Sequence, residues 1–277
     1  MKKRVILSGI SEEFNPQHIF ECGQCFRFLK ETDGSYTIVA KERVINVLQK
    51  NNEIHFNNTT DEEFSDIWED FFDLKTDYGA IKNTLSQKDE YMKNAVLYGN
   101  GIRILRQDLW ETIVSFIISA NNNIPRIQGI VERLCERFGS PIEYNGKTYF
   151  SFPYAEKITG DLSFLRAGYR DSYIKDACSK VTSGELNLNE LKSLSTEDAR
   201  KKLLSVSGIG PKVCDCILLF GLSKCEVFPV DVWVKRSVSA LYKTEEDPRE
   251  FAKNKFGNFA GYAQQYLFYY MRETNSK

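Results

Sequence analysis

Residues 203–231 read LLSVSGIGPKVCDCILLFGLSKCEVFPVD, and the organisation of the chain follows from them. Two apolar runs, 203–206 and 213–222, flank Gly208-Ile209-Gly210-Pro211-Lys212, which predicts a helix, a tight hairpin and a second helix. Glycine serves a hairpin where the backbone needs positive φ, and Pro211 suits the first turn of the second helix. Backbone N–H groups at such a helix start attract anions, and Gly208 and Gly210 leave room for a phosphate to come close. Lys212 follows one residue into that helix. Nineteen residues later Pro229-Val230-Asp231 opens another apolar segment, with Asp231 in an N-cap position that also holds a carboxylate near the same place. Taken singly, the lysine reads as a solvent-facing helix residue and the aspartate as a plain cap. An amine, a carboxylate and a phosphate grip in one frame point instead to chemistry on a nucleic acid.

Upstream of this stretch the pattern changes character. Residues 1 to about 60 alternate polar and apolar positions around turn signals: Arg4-Val-Ile-Leu, Cys25-Phe-Arg-Phe, a Thr32-Asp-Gly-Ser turn, Tyr36-Thr-Ile-Val-Ala, Arg43-Val-Ile-Asn-Val-Leu and Glu53-Ile-His-Phe. That alternation predicts an antiparallel sheet. Helical spacing follows at 61–72 and 80–85, with Phe64, Trp68, Phe71 and Phe72 expected in the core. Beyond Gly99-Asn100-Gly101 the pattern is almost entirely helical. The expectation is an α+β protein: an N-terminal antiparallel β-sheet domain over residues 1–98, then a mainly α-helical domain over 99–277 that carries the hairpin. Residues 141–154 read as an aromatic-rich loop.

At 277 residues and 42% hydrophobic content the chain can build a sizeable core. No apolar run approaches the ~18 residues of a membrane span, and the N-terminus turns acidic too early for a signal peptide. The expected setting is cytoplasmic, nucleoid-associated in a bacterium or nuclear in a eukaryote, with no membrane partner. Seven irregularly spaced cysteines fit reduced thiols, and with only two histidines a zinc site is not expected. The net charge of −1 runs against a nucleic-acid partner unless basic residues gather on one face. Candidates for that face are Arg103, Arg106, Arg126, Arg133, Arg170, Lys175, Lys212, Lys235 and Arg236.

GIGPK with VCDC and VFPVD resembles the helix-hairpin-helix, Gly/Pro-Asp superfamily of base-excision DNA glycosylases. NNNIPRI at 121–127, GQCFRF at 23–28 and GYAQQYLF at 261–268 look like its 8-oxoguanine DNA glycosylase branch, so the resemblance spans nearly the whole chain. Four ordered motifs are far more specific than one hairpin. The resemblance implies a monomer that acts on double-stranded DNA containing 8-oxoguanine. Lys212 would be the nucleophile that forms a Schiff base and Asp231 its assistant. Gly23 would offer its carbonyl to the N7 hydrogen that distinguishes the oxidised base. Cys216 would pair with Lys212 against that base, Gln264 would meet its Watson–Crick edge, and Phe268 would stack on it. Asn121, Arg126 and Arg170 would read the cytosine left behind, with Tyr169 wedged into the duplex. Gly208 and Gly210 would form the phosphate hairpin. For attack the Lys212 amine must be neutral, a state that apolar neighbours such as Ile209 and Val213 could favour. Some superfamily members carry an iron–sulfur cluster on cysteines after the aspartate; here the last is Cys225, so no cofactor is expected.

Without the resemblance the asparagines read as a cap and turn, Tyr169 as a packing residue and the last helix as plainly amphipathic. Two rival functions stay open: a non-catalytic DNA-binding protein that uses the hairpin only for phosphates, and a glycosylase for another damaged purine. Two residues depart from the family pattern. Ser207 stands where the hairpin often has proline, which is expected to loosen the turn. Trp233 stands where many relatives have a phosphate-contacting histidine.

Overall fold

The computed structural model describes residues 4–275. Strands β1 (Arg4–Ser8), β2 (Phe28–Lys30), β3 (Tyr36–Ala40), β4 (Arg43–Lys50) and β5 (Glu53–Asn57) form one antiparallel sheet in the order β1-β5-β4-β3-β2. Register places Tyr36 opposite Val47 and Val47 opposite Phe56, so one face collects their side chains over the buried rings of Phe14, Phe20 and Phe72. The turn before β3 forms as its residues require: Asp33 Oδ1 accepts from the Ser35 N–H at 3.0 Å, and Gly34 adopts φ +83°. Cys25 and Phe26, expected within a strand, lie instead in the buried approach to β2.

Helix α1 (Pro16–Phe20) crosses beside the sheet. Residues 61–71 are one helical stretch, α2 (Asp61–Glu63) and α3 (Glu69–Phe71), joined by a π-turn over Phe64–Trp68. Phe64, Trp68 and Phe71 of this stretch, with Phe72 just after it, fill the sheet's core, as the spacing predicts. The helical body comprises α4 (Tyr78–Ser86), α5 (Glu90–Tyr98), α6 (Leu109–Ser119), α7 (Ile124–Phe138), α8 (Arg170–Thr182), α9 (Leu188–Ser193), α10 (Thr196–Leu204), α11 (Pro211–Leu222), α12 (Val232–Tyr242), α13 (Pro248–Phe256) and α14 (Ala260–Asn275). Every residue of α6 except Glu111 is buried, which makes it the central post of the body. Phe116 of α6 stacks on Phe220 of α11, with ring centroids 5.4 Å apart and planes 16° from parallel.

The two cores are interleaved with respect to the chain. The helical core takes in α4 and α5 from before residue 99, and also Cys22 and Phe26 from the sheet's own connection. Gln24 ties that connection down: its amide donates to the Ile19 and Arg103 carbonyls and accepts from the Leu105 N–H, each at 2.8 Å. Residues 141–154 are not a loop throughout. Pro141–Tyr144 and Lys147–Phe150 pair as a hairpin, β6 and β7, around Asn145 and Gly146, both at positive φ. An Asn-Gly pair between short apolar-aromatic runs favours that turn. The hairpin and the residues after it bridge the two parts, since Phe150 accepts from Arg27 and the Pro153 carbonyl from Trp110.

Candidate active site and DNA interface

The sequence explains the local geometry of the hairpin. Helix α10 ends at Leu204, the Ile209 N–H reaches back to the Val206 carbonyl, and Gly210 caps α11 with Pro211 in its first turn. Gly208 has φ +83°, and a Cβ there would lie 2.4 Å from the Tyr173 ring, so backbone and packing both require glycine. At Gly210 an added Cβ would meet nothing within 4 Å, leaving its surface open to an anion. Ser207 does not loosen the turn as expected. Its N–H donates to Asp176 Oδ2 at 2.8 Å, a bond that proline could not make. Beneath the hairpin, fully buried Asp215 pairs with Arg200 of α10 and Arg249 of α13, fastening three helices around one carboxylate.

Lys212 and Asp231 converge on a cleft lined also by Gly23, Phe116, Cys216, Phe220, Gln264 and Phe268. Asp231 caps α12, its Oδ1 accepting from the Val234 N–H at 2.7 Å, so the cap also fixes the carboxylate's position. The Lys212 Nζ lies 5.3 Å from the centre of the Phe116 ring. Ile209 and Val213, expected to surround the amine, are buried core residues and do not line the cleft. Its apolar wall comes from Phe116, Phe220 and Pro229, of which Phe116 belongs to a helix remote in sequence from the motif. Burial pushes the Cys216 thiol above its ordinary value, while nearby Lys212 pulls the other way. Charge separation within that pair therefore works against burial.

Gly23 adopts φ +85°, and a Cβ there would lie 3.2 Å from Phe268 Cε1. Ring and glycine backbone thus close on each other, and the cleft encloses about 40 Å³, room for a few waters and less than a nucleobase needs. A base can enter only if Phe268 withdraws from Gly23. Gln264 is buried, and its Oε1 has no hydrogen-bond partner among the described residues. A buried amide oxygen left unpaired is costly, and one that borders a cleft is available to an incoming donor. Its neighbour Gln265 does the opposite job, donating to the Cys22 carbonyl at 3.3 Å and so holding the Gly23 turn against α14. Gln265 and Phe116 carried no signal in the sequence, because each acts on a segment far away in the chain. Two larger grooves, of about 380 and 430 Å³, lie between the sheet and the β6–β7 hairpin, but none of the candidate site residues line them, although Phe26, Arg27 and Phe28 beyond Gly23 line the first.

A second group lies around the asparagine turn. Asn122 and Asn123 serve the backbone, accepting from and donating to neighbouring peptide groups, and Asn123 caps α7. Asn121 differs: it is exposed and left-handed, at φ +50°. Arg126 is also exposed, touching the Arg166 carbonyl at 3.4 Å. Tyr169 is 55% exposed at the start of α8, with the Arg170 guanidinium 4.4 Å from its ring centre. Arg170 itself is buried and donates to the carbonyls of Ala120, Asn121 and Ala167. It therefore braces the asparagine turn from behind. Tyr173 meets Tyr169 edge-on at 5.6 Å and also fills the space over Gly208, which links Tyr169 to the hairpin.

The basic face anticipated from the sequence is smaller in three dimensions. Arg103 is buried on backbone carbonyls and the Tyr78 ring, Arg106 pairs with Asp70 and Asp73, and Arg133 holds the Leu165 carbonyl. Arg126, Lys175, Lys235 and Arg236 remain exposed. No helix among the described residues is long and apolar enough to cross a membrane.

A hairpin open to phosphate, a lysine and an aspartate on one cleft, and a tyrosine standing beside it define a base-excision DNA glycosylase. The model of the HhH-GPD superfamily of base excision DNA repair proteins matches residues 114–257. Within that superfamily the chain belongs to the 8-oxoguanine DNA glycosylases, whose N-terminal domain matches residues 7–113. It is 33% identical, over 73% of each chain, to a probable N-glycosylase/DNA lyase of Methanothermobacter thermautotrophicus. Its fold superposes on MBOgg1, solved with a low-affinity DNA ligand, at a TM-score of 0.95 with 49% identity, covering 99% of this chain and 96% of that one. It likewise matches the Clostridium acetobutylicum 8-oxoguanine glycosylase/lyase, solved with double-stranded DNA bearing cytosine opposite 8-oxoguanine. There the TM-score is 0.93 and the identity 41%, over 99% and 98% of the two chains.

Proposed function

We infer that this protein excises 8-oxoguanine from duplex DNA and then nicks the strand at the resulting abasic site, with Lys212 as nucleophile. The observation that carries this reading is the cleft that unites Lys212, Asp231, Gly23, Cys216, Gln264 and Phe268 from four separate segments. Extruding a nucleotide costs about a few kcal/mol. The hairpin at Gly208 and Gly210 offsets that cost by holding phosphate, and Tyr169 by occupying the gap. Asn121 and Arg126 meet the partner base from the exposed turn, with Arg170 holding that turn in place. As the base enters, Phe268 swings from Gly23 onto its face, Gln264 Oε1 accepts from its Watson–Crick edge, and the Gly23 carbonyl accepts from N7–H. Guanine has an acceptor at N7 and is refused there.

The Lys212 amine attacks C1′ as the bond to the base breaks, and Asp231 stabilises the positive charge that develops on the sugar. Ring opening gives a Schiff base between Nζ and C1′. Loss of a C2′ proton then expels the 3′ phosphate, which breaks the strand. The residues assigned here supply this chemistry without a metal or cluster.

An imine can be reduced, which gives a direct test. Incubation with an 8-oxoguanine:cytosine duplex under borohydride is expected to trap a covalent protein–DNA adduct. Lys212→Gln abolishes the adduct while keeping lesion binding. Asp231→Asn slows base release yet still forms an imine with a pre-made abasic site. An adduct that persists at the normal rate in Lys212→Gln would falsify the assignment of the nucleophile.

A further inference from the structure

Two residues past Asp231, Trp233 is 63% exposed, and so is Val232 before it. The other two tryptophans, Trp68 and Trp110, are 0% and 6% exposed, so this indole alone stands in solvent. The helix does not need it there. Val234 and Val238, one turn apart and both 2% exposed, anchor α12 to the core. That orientation turns Val232, Trp233, Lys235 and Arg236 outward together. Among the described residues neither Lys235 nor Arg236 takes part in an ion pair, unlike Arg106, Arg200 and Arg249. An exposed indole and valine gain nothing for folding, and large apolar side chains held in water beside a binding cleft mark a contact surface. Cations interleaved with an aromatic ring fit a nucleic-acid strand, whose phosphates and base faces alternate at similar spacing.

We propose that the first two turns of α12 are a DNA-contacting element in which the Trp233 indole lies on the sugar and base of the nucleotide next to the extruded one, with Lys235 and Arg236 toward the phosphates. The surface is continuous with the cleft, because Asp231 lines the cleft and caps this same helix. A histidine at the Trp233 position would offer a phosphate a polar ring, whereas an indole offers a broad apolar face. Affinity from Trp233 is therefore insensitive to salt, unlike affinity from a phosphate contact. The proposal rests on the glycosylase reading above.

The test uses the unaltered protein and a duplex carrying a tetrahydrofuran abasic analogue, which binds without being processed. Acrylamide quenches Trp233 in the free protein, and binding is expected to cut that quenching severalfold while the buried tryptophans contribute little. Trp233→Ala weakens binding about tenfold, as loss of one stacked base would. Its thermal stability and the slope of log affinity against log salt stay unchanged, and Trp233→Phe recovers most of the loss. Lys235→Ala, by contrast, lowers the salt slope by about one. Unchanged quenching on binding, wild-type affinity in Trp233→Ala, or a salt slope reduced by about one in that variant would each overturn the proposal. Failure of the parent reading shows separately, as absence of borohydride trapping by the wild-type protein.

Discussion

Replacing Gln264 by methionine is expected to move stability and lesion recognition in opposite directions. Methionine keeps the length and roughly the volume of glutamine and removes the amide. In the protein alone the Gln264 Oε1 is buried without a partner among the described residues, an arrangement that costs about 1–3 kcal/mol. Its removal should therefore leave the melting temperature unchanged or raise it, by roughly 2–4 °C for each kcal/mol recovered. The same change deletes the acceptor that the proposed function assigns to the base, and lesion affinity should fall by about 1–3 kcal/mol, with binding to undamaged duplex unaffected. Gln265→Met is the internal control. Its amide donates to the Cys22 carbonyl from a site 2% exposed, so that variant should melt lower. Thermal melts of the two variants, beside titrations with tetrahydrofuran-free lesion and undamaged duplexes in the Lys212→Gln background, measure both effects. Equal destabilisation by the two substitutions, or lesion affinity retained in Gln264→Met, would show that Gln264 is an ordinary core residue.

Gly208→Ala should cost about 2–5 kcal/mol, from roughly 1–2 for a left-handed backbone and about 1–3 for the clash with the Tyr173 ring; Tyr173→Ala in the same chain should return the second part, as a double-mutant cycle of chemical denaturation would read. Asp215→Ala leaves Arg200 and Arg249 without their shared carboxylate and should lose about 3 kcal/mol, the low end for a broken buried pair because both arginines retain access to water. Burial pushes the thiols of Cys135, Cys178 and Cys214 up to about 12 from an ordinary 9.0. A raised folded value means that the unfolded chain ionises first, so the stability these thiols contribute is intact below pH 9 and is lost as pH rises from 9 toward 12. Denaturation midpoints measured under reducing conditions across that window should fall, and Cys178→Ala should flatten the fall.

The sequence by itself determined those features that depend on a few neighbouring residues. Gly208, Gly210 and Pro211 specify the hairpin because positive φ and a fixed φ are properties of single residues, and Asp231 caps α12 because a short carboxylate reaches its own helix start. Alternation over residues 36–57 determined the sheet face in the same way. The Asn145-Gly146 turn was equally local, and the short strands around it, with their mixed polar and aromatic content, concealed it. Tertiary structure decided what depends on distant segments meeting. It set Gly23 against Phe268, put Phe116 beside Lys212, and left the Gln264 Oε1 without a partner among the described residues while its neighbour Gln265 bonds to Cys22. It also sorted the charges. Arg103, Arg133 and Arg170 went to buried carbonyls and Arg106 to two aspartates, whereas Trp233 was left in solvent. Side-chain type limits what a residue can bond to, but burial and partners are set by which other segment the fold brings alongside, and no short stretch of sequence contains that information.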